Sequence, residues 1–118
     1  MKNLVNWVEI PVTDHQRAKN FYSMILGVEF FDMTLGDLHY SIFPTQDGAL
    51  VSGSDRRPSK GGALIYLNGG DDLSKPLAKI AGAGGVVLLS KTFLTKEAGH
   101  IGIFLDSEGN KMAFHSMT

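Results

Sequence analysis

The stretch Glu9–Gly27, EIPVTDHQRAKNFYSMILG, decides the fold of the N-terminal half of this 118-residue chain. Alternating apolar residues up to Pro11 are typical of a strand. Asp14 is a favourable N-cap residue, and Gly27 supplies a C-terminal stop. Between these two residues, apolar side chains recur at helical spacing: Ala18, Phe21, Tyr22, Ile25 and Leu26. The stretch therefore predicts a strand followed by a helix.

Three β-rich segments follow this helix, namely VEFFDMTLG at 28–36, LHYSIFPTQ at 38–46 and GALVSG at 48–53. The dipeptides Gly36-Asp37 and Asp47-Gly48 separate them, and the second is a strong hairpin signal. The first half of the chain therefore predicts the order β-α-β-β-β.

The second half repeats this order. GALIYLNGG at 62–70 predicts a strand, Asp71 or Asp72 caps a helix that AGAGG at 81–85 ends, and three further strands follow at 86–92, 100–110 and 111–117. Asp14 to Gly27 and Asp71 to Gly84 both span thirteen residues, and the two stretches lie 57 positions apart. A second offset, of 61 residues, relates the later hairpins.

Length and hydrophobic content predict one α+β domain over residues 1–118, with module 1 at 1–56 and module 2 at 60–118. A single module of this kind cannot bury a sheet face alone. We therefore expect the two modules to pack together and to enclose a shared cavity.

Composition excludes several classes of function. Eleven basic residues against twelve acidic ones give a net charge of -1, which does not favour nucleic acid or an anionic membrane. Cysteine is absent, which excludes disulfides, cysteine-ligated metals and a thiol nucleophile. We predict a cytoplasmic protein, because the N-terminus lacks the apolar core of a signal peptide and no run is long enough to span a bilayer.

Three segments of the chain resemble the vicinal oxygen chelate superfamily, which contains glyoxalase I, bleomycin-resistance proteins and extradiol dioxygenases. They are EIPVTDHQRAKNFYSMILG at 9–27, IAGAGGVVLLSKT at 80–92 and FLDSEGNKMAFHS at 104–116. The resemblance covers essentially the whole chain. It implies two βαβββ modules in a curved, eight-stranded open barrel around a cavity, and a homodimer.

The resemblance also implies where a divalent ion would bind. Metal-dependent members use His, Glu or Gln from the first and last strand of each module. These positions fall at Trp7, Ser52, Ala113 and Leu64, or at Ala63 if the register slips. None of these side chains is a metal ligand. We therefore predict no metal at this place and no cofactor.

A second set of polar residues lies two positions further along these strands, on the same inward face. Because side chains alternate, an inward Trp7 implies an inward Glu9, and an inward Ala113 implies an inward His115. The 57-residue offset pairs Glu9 with Tyr66. Glu9 and His115 are predicted as a general acid–base pair. The alternative is a buried network that fixes how the modules dock, and a metal site of Glu9 and His115 would have too few ligands.

Substrate contacts are predicted for Trp7, Ser52, Tyr66 and Ala113. We expect a small organic molecule as ligand, bound or transformed without a metal. The alternative is a protein that sequesters a drug or metabolite, as bleomycin-resistance proteins do, and a metal-dependent lyase or dioxygenase is less favoured. Whether the protein is an enzyme stays open at this point. The loop at 52–62 is expected to be solvated, and the alternative is that its Arg56, Arg57 and Lys60 bind an anion at the cavity mouth. His15 is also expected to be solvated.

Overall fold

The computed structural model describes residues 4–118 and forms two four-stranded sheets with short connections. Sheet A has the strand order β1-β4-β3-β2, and sheet B has the order β5-β8-β7-β6. The elements are β1 (Val8–Pro11), α1 (His15–Leu26), β2 (Phe31–Leu35), β3 (Leu38–Ile42), β4 (Gly48–Ser52), β5 (Ile65–Asn68), α2 (Ser74–Leu77), α3 (Ile80–Ala83), β6 (Val86–Thr95), β7 (Gly99–Leu105) and β8 (Lys111–Ser116). The predicted α+β class with two related modules is confirmed.

Helix α1 begins and ends where the sequence predicts. The Asp14 carboxylate accepts a hydrogen bond from the Arg17 amide at 3.0 Å, which satisfies one of the amides that a helix leaves without a partner. Gly27 adopts φ 65°, and its amide donates to the Ser23 carbonyl. Only glycine adopts this left-handed conformation without a steric cost, so Gly27 ends the helix.

The helical part of module 2 differs from the prediction of one helix, because it forms two four-residue helices, α2 and α3. The break falls at Ala78 and Lys79, where the Lys79 amide donates at 3.1 Å to the carbonyl of Pro76, three residues earlier, and so tightens the end of α2. Asp72 accepts hydrogen bonds from the Ser74 amide and hydroxyl at 3.0 and 2.7 Å, which fixes the start of α2. No helix within residues 4–118 is long and apolar enough to cross a membrane.

Each sheet contains one parallel pair, β1 with β4 and β5 with β8, and its other pairs are antiparallel. The turn at Gly36-Asp37 forms as predicted, with Gly36 at φ 62°. The connection between β3 and β4 is longer than the predicted hairpin, because β3 ends at Ile42. Strands β1 and β5 are edge strands, and no ladder joins the two sheets within the described residues. Both sheets are therefore open.

The two faces of each sheet have different surroundings, and we call them the inner and the outer face. On the inner faces, Ile10 and Leu50 of sheet A and Phe104 of sheet B belong to one hydrophobic core that also contains residues of all three helices. On the outer face of sheet A, Phe31 and Leu35 are 72% and 61% exposed. The helices thus lie between the two sheets, and the outer faces point away from the core.

The β7–β8 turn, residues 106–110, holds the two modules together. The Tyr22 hydroxyl donates to the Asp106 carboxylate at 2.6 Å, and the Asn110 side chain donates to the Pro11 carbonyl at 2.7 Å. Burial, followed by the charge of Asp106 and this hydrogen bond, raises the pKa of Tyr22 well above its ordinary value. Tyr22 is fully buried, so the pair is an internal contact between modules.

Glu108 of the same turn binds the N-terminus of α1. Its carboxylate accepts the amides of Thr13 and Asp14 at 2.9 and 2.7 Å and forms an ion pair with Arg17 at 2.7 Å. Burial alone would raise the pKa of Glu108, but the hydrogen bonds from Arg17, Asp14 and Thr13 outweigh it and lower that pKa. A carboxylate at this place also stabilises the helix dipole.

Candidate functional site

The outer face of sheet A carries a cluster of Trp7, Glu9 and Arg56. The Trp7 indole donates to Glu9 Oε2 at 3.2 Å, and Arg56 Nη2 lies 3.0 Å from Glu9 Oε1. The side chains of Glu9 and Arg56 are both 28% exposed, and Trp7 is 42% exposed. Glu9 is thus held as a paired carboxylate, and the Trp7 ring remains accessible to a ligand.

For Arg56, the sequence favoured a solvated loop over anion binding at the cavity mouth. Much of that loop is exposed, but the Arg56 side chain is partly buried, because the loop leaves β4, the neighbour of β1, and places the guanidinium against Glu9. A partly buried carboxylate on a strand needs a positive or hydrogen-bonding partner. This requirement points from the sequence to Arg56 as a partner of Glu9, since Arg56 is one of two arginines that follow the neighbouring strand.

The outer face of sheet B brings Tyr66, Ala113 and His115 together. Tyr66 pairs with Ala113, and Asn68 with His115, in the β5–β8 ladder. A cleft of about 710 Å³ beside these strands is lined by Tyr66, Asn68 and His115, together with Asp71 and the C-terminal residues. This volume lies within the range that small-molecule ligands occupy.

His115 has a defined orientation in this cleft. Its Nε2 lies 2.6 Å from the carbonyl oxygen of Ala98. A carbonyl only accepts hydrogen bonds, so Nε2 carries a hydrogen and the neutral ring keeps its lone pair on Nδ1. Nδ1 is therefore the atom of His115 that can accept a proton.

The described hydrogen bonds do not join Glu9 to His115. Glu9 is bonded to Trp7 and Arg56 on sheet A, whereas His115 is bonded to Ala98 on sheet B. Within one chain the two residues thus belong to separate clusters. The predicted acid–base pair stays a prediction.

The strand registers change one of the repeat offsets. Val8 pairs with Gly48, and Ile65 pairs with Met112. Strands β1 and β5 are therefore 57 residues apart (65 − 8), as predicted, whereas β4 and β8 are 64 residues apart (112 − 48). The predicted offset of 61 describes β3 and β7 only, because the connection from β7 to β8 is three residues longer than the one from β3 to β4.

This change moves Ser52 away from its expected place. With an offset of 64, the counterpart of Ala113 is Ala49, which pairs with Glu9. Ser52 lies three residues further along β4, on the inner face, where its hydroxyl is 2.9 Å from His15 Nδ1. The structure therefore places Ser52 apart from Trp7 and Glu9, and its contact with a substrate stays a prediction.

The side chains at the expected metal positions do not fit a divalent ion. With the corrected register they are those of Trp7, Ala49, Leu64 and Ala113, which offer no carboxylate, imidazole or carbonyl ligand. Among residues 4–118, no three His, Asp or Glu side chains form a group that could hold a metal ion.

A second cleft, of about 630 Å³, lies between the modules near β1 and β5. Its walls are mostly apolar and include Val8, Phe43 and Leu67, while Tyr66 and Asn68 border both this cleft and the one beside His115. The outer face of sheet B and the gap between modules thus meet along β5.

Sequence comparison relates the chain to one superfamily. The sequence model of the Glyoxalase/Bleomycin resistance protein/Dioxygenase superfamily matches residues 4–114. A glyoxylase-like domain-containing protein from Didymella fabae is 33% identical over 119 residues, which cover 92% of this chain and 90% of that protein.

Solved structures show the same fold. A glyoxalase I mutant from Zea mays has a TM-score of 0.75 at 20% identity, and the match covers 94% of this chain but only 46% of the maize chain. TnmS3, an antibiotic binding protein from Streptomyces sp. CB03234, has a TM-score of 0.68 at 21% identity and covers 100% and 99% of the two chains. Because the family model covers most of the sequence, this chain belongs to the Glyoxalase/Bleomycin resistance protein/Dioxygenase superfamily.

Proposed function

We propose that the protein binds a small organic molecule without a metal, at the outer faces of its sheets. The observation that carries this proposal is the cluster of Trp7, Glu9 and Arg56 beside the apolar residues of sheet A. The expected metal positions hold side chains that suit an apolar or aromatic ligand instead. The likeness to an antibiotic binding protein supports binding of this kind.

Trp7 and Arg56 define the chemistry of the ligand. The accessible indole ring offers a stacking surface for a planar group. Arg56 has five N–H donors and spends Nε and Nη2 on Glu9, so further donors remain for a carboxylate or carbonyl of the ligand. An aromatic acid combines both features.

A homodimer would complete this site. The outer faces of both sheets expose large apolar side chains, including Phe31 and Leu35 on sheet A and Val86 and Leu89 on sheet B. Because the helices occupy the space between the two sheets, a cavity cannot form between the outer faces of one chain. Sheet A of one copy facing sheet B of another would cover the apolar residues and bring Glu9 near the second copy's cleft.

Binding is tested with 2-naphthoate as the probe and protein dialysed against a chelator. Titration calorimetry is expected to show binding without metal, and Trp7→Ala or Arg56→Gln should weaken it about tenfold or more. Arg57→Gln is the matched control, because Arg57 is an exposed neighbour. Binding that needs a stoichiometric metal ion, or that both site variants leave unchanged, would contradict the proposal.

A second candidate function is proton transfer by an enzyme, and the orientation of His115 favours it. His115 lines the cleft together with Tyr66, and a neutral ring that donates through Nε2 to Ala98 has the lone pair that a general base needs on Nδ1. In an assay that detects turnover, His115→Gln should reduce kcat about a hundredfold while probe binding persists. A binding protein would instead show no turnover with any substrate that it binds.

A further inference from the structure

A polar cluster outside the proposed ligand site lies under α1, on the inner face of sheet A. His15 Nδ1 is 2.9 Å from the Ser52 hydroxyl, and Nε2 is 2.6 Å from the Ser41 hydroxyl. The expectation that His15 is solvated is therefore wrong. Both ring nitrogens are engaged, and the ring bridges β3 and β4.

The cluster continues from Ser41 to the protein surface. The Ser41 hydroxyl donates to Asp32 Oδ1 at 2.6 Å, and Lys19 Nζ donates to Asp32 Oδ2 at 2.6 Å. The hydrogen bonds from Lys19 and Ser41 lower the pKa of Asp32. Asp32 is therefore an ionised carboxylate that can only accept.

These contacts assign the protons of His15. Ser41 has one hydroxyl hydrogen and gives it to Asp32, so His15 Nε2 must donate to Ser41. Burial, only partly opposed by the charge of Asp32, lowers the pKa of His15 and keeps the ring neutral at pH 7. Nδ1 therefore accepts, and the Ser52 hydroxyl donates to it. Ser52 thus faces a base that an extended network holds in one tautomer.

We propose that Ser52 is a serine nucleophile for acyl transfer, activated by His15, at a second site independent of the outer-face site. Ser52 ends β4, at the carboxyl end of the parallel β1/β4 pair, and α1 begins at His15 on the same edge. Ser52 is partly exposed, and His39, which pairs with it in the β3–β4 ladder, is exposed. The substrate class is a small carboxylic ester, because its carbonyl carbon accepts attack by a serine and its alcohol is a leaving group.

The reaction follows from the assigned protons. Ser52 Oγ attacks the carbonyl carbon of the ester, and its proton passes to His15 Nδ1. The carbon–oxygen bond to the alcohol breaks, and the alcohol leaves with that proton. Water then releases the acid from Ser52 and restores the hydroxyl. Ser41 and Asp32 are positioning residues, because they hold His15 in the tautomer that accepts the Ser52 proton.

The test uses the whole protein and a rhodamine-tagged fluorophosphonate, which loses fluoride when a reactive serine attacks its phosphorus. Peptide mass spectrometry should place the adduct on Ser52, and Ser52→Ala should abolish it. His15→Gln should slow labelling about a hundredfold. Ser54→Ala is the matched control and should change nothing, because exposed Ser54 is bonded to Asp37 without an imidazole.

If His15→Gln does not fold, the pH dependence of labelling in the unaltered protein tests the role of His15 instead. The groups that face His15 are Asp32, His39, Lys19 and Glu108. Labelling should fall as the pH drops below the ordinary pKa of a histidine, about 6.5, because a protonated His15 cannot accept the serine proton. An adduct on another residue, no adduct on Ser52, or a flat profile would overturn the proposal.

Discussion

The inner and outer faces of the sheets differ in burial and in role, although the same strands form both. On the inner side, Tyr22 and Asp106 are buried and bonded to each other, and apolar residues fill the space between modules. On the outer side, Phe31 and Leu35 are exposed, and the polar contacts are those of Glu9 with Trp7 and Arg56. The Tyr22–Asp106 contact and the core between the modules therefore hold the fold, whereas the outer face of sheet A is available to a ligand or a second copy.

The largest expected effect is on the inner side. The Asp106 carboxylate accepts hydrogen bonds from the Tyr22 hydroxyl, from the Asn110 amide and side chain, and from the Glu108 amide. Asp106→Ala leaves several buried donors without a partner, so we expect the free energy of unfolding to fall by roughly 3–5 kcal/mol. Urea denaturation followed by circular dichroism measures this change.

Asp47→Ala is the control for this prediction. Asp47 is exposed, and its side chain accepts one hydrogen bond from Thr45 at 2.6 Å. Its loss should cost less than about 0.5 kcal/mol. If Asp106→Ala were no more damaging than Asp47→Ala, the turn would not hold the modules together.

The next largest effect is expected on dimerisation through the outer face of sheet A. Replacing Phe31 and Leu35 together by Glu places two charges on the surface that a second copy would cover. We expect the dissociation constant of the dimer to rise at least about tenfold, with no loss of secondary structure. Analytical ultracentrifugation measures it. Met24→Glu is the control, because Met24 is exposed on α1 and away from that face. Equal dimerisation of all variants would refute this dimer face.

A smaller effect depends on pH. The pKa of Glu108 is lowered in the folded protein, so its contribution to stability is complete above the ordinary pKa of a glutamate and is lost as pH falls through the folded value. At pH 7, Glu108→Gln should lower the free energy of unfolding by about 1–2 kcal/mol. The difference between the two proteins should shrink towards pH 3, and a difference that stays constant across this range would contradict the assignment.

The local elements of the fold could be predicted from the sequence because short-range chemistry sets them. Asp14 and Gly27 bound α1 by capping and by a positive φ, which depend on those residues alone. Helix ends and turns of this kind need no knowledge of the partner strands.

The site was less predictable because it depends on register and on long-range contacts. The three extra residues between β7 and β8 shift the counterpart of Ala113 from Ser52 to Ala49, and such a length difference is visible only when both strand pairs are known. Arg56 reaches Glu9 across 47 positions, and His15 reaches Ser52 across 37. Parity along single strands grouped Tyr66 with Glu9 and His115, whereas the β5–β8 ladder pairs Tyr66 with Ala113, and parity could not reveal these partners.

The smallest expected effect is on stability, and it distinguishes a structural role of Glu9 from a role in ligand binding. If the outer face does not hold the fold, Glu9→Gln and Arg56→Gln should each change the free energy of unfolding by less than about 1 kcal/mol, because partly exposed ion pairs contribute little. A double-mutant cycle should give a coupling energy of about 0.5 kcal/mol. The same Glu9→Gln substitution should nevertheless weaken binding of 2-naphthoate, since Arg56 loses the group that orients it. A coupling of several kcal/mol with unchanged binding would show instead that Glu9 is part of the scaffold, and would remove the distinction between the two faces at this residue.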